Sequence, residues 1–225
     1  MIINEMTKPY AYKKLRSYLE AMEPNIVGQR LDKYKLVSLI ADALDILRIE
    51  VDFENTPNVS KDEINMNAGY SQGIDKWKDP DLYPTSLTML FNNKQRTYSF
   101  SKEGFDELVN RISDAIGHER IHQGQARKRK LQHPGSEYTG PEKGKTERDY
   151  LGKPDEVEAF SYNIASELLR RHDKETIINA FRQGDLSILK DSINFVAYLA
   201  SFEDTDNKTM RNLINKILKY IEHLN

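Results

Sequence analysis

Between Ser101 and His122 the apolar residues follow a single spacing. Phe105, Leu108, Val109, Ile112 and Ile116 fall at i, i+3, i+4, i+7 and i+11, the pattern of a helix with one buried stripe. Ser101 stands where an N-cap belongs. The same stretch ends in His118-Glu119-Arg120-Ile121-His122, an H-E-x-x-H motif. Residues four apart share a helix face, so the two imidazoles can converge on one Zn²⁺ ion. The glutamate between them can take a proton from the water that such an ion activates. With five His and eighteen Glu in 225 residues, chance supplies the pattern about 0.01 times, so it is moderately specific. Steps of about 100° put Glu119 near the edge of the apolar stripe and both His on one flank. The motif is therefore expected on a core helix, with its histidines facing a neighbouring element.

Catalytic zinc usually takes three protein ligands and keeps one position open. The metzincin pattern would need Gly and His where this chain has Gln125 and Lys128, which excludes that class. A better candidate lies downstream. Pro154 and Asp155 read as the first residues of a new helix. Ala159, Tyr162, Ile164, Ala165, Leu168 and Leu169 give it an apolar face. Glu156 precedes Ala159 by three residues and shares its face, which suits a helix packed closely on the first.

The pair His118-Glu119-x-x-His122 and Glu156-x-x-Ala159 resembles the gluzincin branch of zincin metallopeptidases, over roughly residues 85–170. The resemblance implies zinc ligands His118, His122 and Glu156, with Glu119 as general base. Glu158 is the rival third ligand; it also precedes Ala159 but points about 200° away from Glu156. The plain alternative for both carboxylates is a solvated acidic first turn complementing the helix dipole.

The rest of the chain sets the frame. No leader of a basic segment plus a long apolar run is visible, and no stretch approaches a membrane span. The absence of cysteine excludes disulfides and thiolate zinc sites and fits a reducing compartment. A soluble, cytoplasmic protein with no membrane partner is expected. A net charge of −2 gives no global pull toward nucleic acid.

Residues 8–23 and 31–48 read as amphipathic helices. Residues 49–100 read as β: 49–53 and 64–70 alternate, and 87–91 with 97–100 could form a hairpin about the turn-like 92–95. Residues 123–149 read as a long loop containing His133 and Tyr138. His133 is an alternative ligand or donor; Tyr138 and Tyr150 are alternative donors to a developing oxyanion. Arg127-Lys128-Arg129-Lys130 is a basic run, either a solvated helix end or a site for an anionic partner. Residues 173–225 read as helices, with Leu186, Leu189, Ile193, Val196, Ala197 and Leu199 as one core stripe and Met210, Leu213, Ile214, Ile217, Leu218 and Ile221 as another.

The expectation is one α+β, zincin-like domain over residues 1–225: N-terminal helices to residue 48, a small twisted sheet at 49–100, the active-site helices and long loop at 101–172, and a mostly helical remainder. Its expected activity is that of a zinc metalloendopeptidase acting on a peptide or protein substrate. The alternatives are a catalytically silent zincin-like binding protein and a nucleic-acid-associated protein using residues 127–130.

Overall fold

A computed structural model describes residues 9–77, 83–131 and 146–224. The chain divides into two compact units, residues 1–124 and 125–225.

The first unit contains α1 (Pro9–Glu20), the short α2 (Glu23–Ile26), β1 (Arg30–Asp32), α3 (Lys33–Asp45), β2 (Ile49–Thr56), β3 (Ile64–Tyr70), α4 (Gln72–Trp77), β4 (Thr85–Asn92) and β5 (Thr97–Ser99). Helix α5 (Lys102–Lys128) then runs on into the second unit. Asp32 starts α3 by accepting a hydrogen bond from the Tyr34 N–H at 2.8 Å, which satisfies one orphan donor of the first turn. Ser101 does the same for α5, accepting from the Gly104 N–H at 3.1 Å.

The main sheet has strand order β2-β4-β3, with β2 parallel and β3 antiparallel to β4. In β4, Leu87, Met89 and Phe91 alternate inward and are fully buried. Val51 of β2 and Ala68 of β3 stand opposite Leu87, and Phe53 and Met66 stand opposite Met89. This face packs in one core with Leu36, Ile40 and Leu44 of α3 and with the α5 stripe. All five stripe residues, Phe105, Leu108, Val109, Ile112 and Ile116, are at most 5% exposed. Burial of each such side chain is worth about 1.5–3 kcal/mol before ordering entropy is counted.

The structure departs from the expected hairpin. Both edges of β4 are already taken by β2 and β3, so β5 has no place beside it. β5 pairs instead with β1 in a two-stranded antiparallel ladder, Leu31 opposite Tyr98.

It also shortens the expected loop at 123–149. Helix α5 continues through Gln123 to Lys128, and Arg127 and Lys128 sit in its last turn, where cations favour the dipole. The helix ends in a wrap through Lys130 and Leu131 at positive φ, with the Leu131 N–H donating to the Ala126 carbonyl at 2.9 Å. His133 and Tyr138 lie outside the described residues.

The second unit holds α6 (Glu147–Leu151), α7 (Pro154–Arg171), α8 (Lys174–Arg182), a 3₁₀ turn (Ser187–Asp191), α9 (Ile193–Phe202) and α10 (Lys208–His223). Thr146 and Asp149 form a reciprocal capping box at the start of α6. The core joins Val157, Ile164, Ala165 and Leu168 of α7 to Phe195, Tyr198 and Phe202 of α9 and to Met210, Leu213, Ile217 and Ile221 of α10. These four α10 residues belong to the stripe that the spacing predicted, and its other two members, Ile214 and Leu218, are half-buried. The stripe expected through Ile193 and Val196 is not buried: those residues are 76% and 46% exposed. Ser192 caps a fresh helix by accepting from the Phe195 N–H at 3.0 Å, so the turn before it does not set the phase of α9. No helix among the described residues is long and apolar enough to cross a membrane.

Candidate metal centre

Helix α5 presents its apolar stripe to the first core and carries the H-E-x-x-H residues near its far end. Side chains on a helix lean back toward its N-terminus, so the ring of His122 lies over the turn that bears His118. The two rings meet edge to face, with centroids 4.8 Å apart and planes at 74°. Their Nε2 atoms are 3.1 Å apart. His118 is buried, and His122 and Glu119 are half-buried. The turn between the histidines is anchored by Arg120, whose guanidinium donates to the Leu47 carbonyl at 2.6 Å and to Gln123 Oε1 at 2.9 Å.

Glu156 is in the first turn of α7. Pro154 opens that helix, which suits proline because the first-turn N–H it lacks has no helical partner. In the second unit the last turn of α5 is tied to the start of α7. Gln125 Nε2 donates to the Asp155 carbonyl at 3.2 Å, and the Arg129 guanidinium pairs with the Asp155 carboxylate at 2.8 Å. Glu156 is 5% exposed, and Ala159 one turn on is fully buried. His118, His122 and Glu156 form a group whose potential ligand atoms all lie within 4.8 Å of one another, and it could hold a metal ion.

Glu158 belongs to different surroundings. It accepts hydrogen bonds from the Lys216 ammonium and, at 2.8 Å, from the Tyr220 hydroxyl, both on α10. Burial pushes its carboxyl up, but the bonds from Lys216 and Tyr220 outweigh this and hold it below the usual glutamate value. The Tyr220 phenol is raised by burial and by the neighbouring Glu158 charge. Two acids two residues apart on one helix thus have different surroundings, Glu156 in the candidate group and Glu158 in a brace to α10.

Tyr150 sits in α6 with its ring 6.5 Å from that of Phe160, edge to face, and with the Lys153 ammonium over it. Of the basic run, Arg129 is engaged by Asp155, while Arg127, Lys128 and Lys130 are exposed. Tyr198 of α9, absent from the stripe expected there, is fully buried and donates to the Leu151 carbonyl at 2.9 Å. Burial, and then the Glu156 charge, raise its phenol well above the usual value. Its spacing in α9 marks it only as a core aromatic.

Comparison of the chain with protein-family models, with curated proteins and with solved structures returns no match.

Proposed function

We propose that the chain is a zinc-dependent peptidase in which His118, His122 and Glu156 hold the ion and Glu119 acts as general base. The observation that carries this reading is the convergence of two imidazoles and one buried carboxylate in a single group. The donor set fits zinc: two histidine nitrogens and one carboxylate oxygen leave a fourth position open, as in hydrolytic sites. The spacing of the histidine pair fits as well. Two nitrogens at about 2.0–2.1 Å from a tetrahedral ion stand about 3.3 Å apart, close to the 3.1 Å between the two Nε2 atoms.

Bound there, zinc would polarise the scissile carbonyl and acidify a water. Glu119, one residue after His118 and half-buried, accepts the proton of the attacking water and passes it to the leaving amine nitrogen. Arg120 keeps that helical turn from rotating by its bond to the Leu47 carbonyl. Among the described residues, β2 and β3 are the edge strands of the main sheet, on which a substrate would be held in extended form.

The test is metal analysis of protein purified without added zinc, followed by cleavage of a peptide library read by mass spectrometry. About one zinc per chain is expected, lost when His118→Ala and His122→Ala are combined. Glu119→Gln is expected to keep the zinc while cleavage falls roughly 10²–10⁴-fold. Stoichiometric zinc in the double alanine variant overturns the ligand assignment. Cleavage that survives unchanged in zinc-loaded Glu119→Gln overturns the mechanism.

A further inference from the structure

Glu156 stands on the third residue of α7, so its aim depends on how that helix starts. The residue before the helix, Lys153, makes no side-chain cap. The corner between α6 and α7 is held by backbone bonds and from beneath. The Gly152 N–H donates to the Arg148 carbonyl at 2.9 Å, and the Lys153 N–H to the Tyr150 carbonyl at 3.0 Å. The corner has no slack at Gly152, where a Cβ would lie 3.1 Å from the Arg148 carbonyl and 3.7 Å from the Phe202 ring. Beneath it, the Tyr198 hydroxyl donates to the Leu151 carbonyl, one of the orphan acceptors at the end of α6. The Tyr198 ring is itself fixed, edge to face with Phe160 at 5.5 Å and stacked on Phe202 at 5.9 Å. A phenylalanine would fill the same space, so packing alone does not call for the hydroxyl. The charge of Glu156 acts on that hydroxyl, which places the two groups in one electrostatic neighbourhood.

We propose that Tyr198 is a positioning residue for Glu156: its hydrogen bond to Leu151 fixes the α6–α7 corner and so sets the direction in which the Glu156 carboxylate points. The role rests on the zinc reading above, in which Glu156 is the third ligand. Residues that support a ligand in this way commonly change metal affinity about 10–100-fold when lost.

The test is a double-mutant cycle in the full chain, with zinc affinity measured by chelator competition for wild type, Tyr198→Phe, Glu156→Gln and the double variant. Tyr198→Phe is expected to weaken zinc binding about 10–100-fold in the wild-type background and by less than about 3-fold where Glu156 is already Gln. A general loosening of the second unit would instead weaken both backgrounds alike, and that result overturns the proposal, as does no weakening at all. A second readout is independent of zinc. In the metal-free proteins at one fixed pH, the carbon-13 carboxyl signal of Glu156 should move in Tyr198→Phe while that of Glu158 stays. An unmoved Glu156 signal overturns the positioning role even if the wild type binds no zinc.

Discussion

Glu156 and Glu158 are two residues apart on α7, and replacing each by Gln should produce opposite phenotypes. Glu158 is bonded to the Lys216 ammonium and the Tyr220 hydroxyl, with side-chain exposures of 33% for Glu158 and 27% for Lys216. A charge-assisted bond contributes about 1.5–3 kcal/mol when dry. Partial exposure screens this pair, so about 1 kcal/mol is the appropriate figure. For a chain of this size that lowers the melting temperature by about 2–4 °C. Gln keeps the shape and can still accept from Tyr220, so zinc affinity should stay within about 3-fold of wild type. Glu156→Gln should do the reverse. In the proposed site it would remove a ligand, so affinity should fall by more than the roughly 10–100-fold typical of a lost supporting group. The pH dependence gives a further check on Glu158. Its folded value lies below the unfolded 4.5, so its contribution is complete above that value and is lost as pH falls through the folded one. The gap in melting temperature between wild type and Glu158→Gln should therefore close below about pH 4.5. Thermal melts from pH 3 to 7 and chelator competition on both variants decide the matter. A large affinity loss at Glu158, with little at Glu156, would refute the assignment of the two acids.

Zinc bound only by the folded chain should stabilise it by about 2.7 kcal/mol at a free concentration 100 times the dissociation constant, or roughly 5–11 °C. A chelator should remove that increment from wild type and leave the melt of His118→Ala unchanged, as calorimetry would show. Phe105→Ala empties a fully buried site between the α5 stripe and the sheet, and should cost about 3–5 kcal/mol in denaturant unfolding.

The parts legible in the sequence are those set by local periodicity. The α5 stripe, the alternation of residues 49–53 and 64–70, and most of the α10 stripe each report a face turned toward a core; the α5 residues are buried, while Val51, Phe53, Met66 and Ala68 pack on the core half-buried. The parts that were not legible depend on partners far along the chain. The 92–95 tetrad looks like a hairpin turn until β2 and β3 occupy both sides of β4. The three-residue β1 is too short to alternate and exists through its pairing with β5. The choice between Glu156 and Glu158 is similar. Spacing to Ala159 favours Glu156, but the bonds that engage Glu158, to residues 216 and 220, are invisible from residue 158. Residues 123–128 show a different failure, in which a polar, charged stretch is helical because it continues a helix already nucleated upstream.

The strand order β2-β4-β3 has a consequence for how the protein comes into being. Every ladder of the main sheet runs through β4, which is the last of its three strands in the chain. A nascent chain that has not yet reached Thr85 holds two strands with no native neighbour. Those strands run antiparallel to each other, because β2 is parallel and β3 antiparallel to β4. Only residues 57–63 separate them, so nothing in their direction prevents them from closing on each other first. Both native ladders need β4, so any pairing that β2 and β3 share beforehand must give way to it. The sheet is completed from its centre last, and the loop-closure entropy of that step is met before any of its ladder bonds can form.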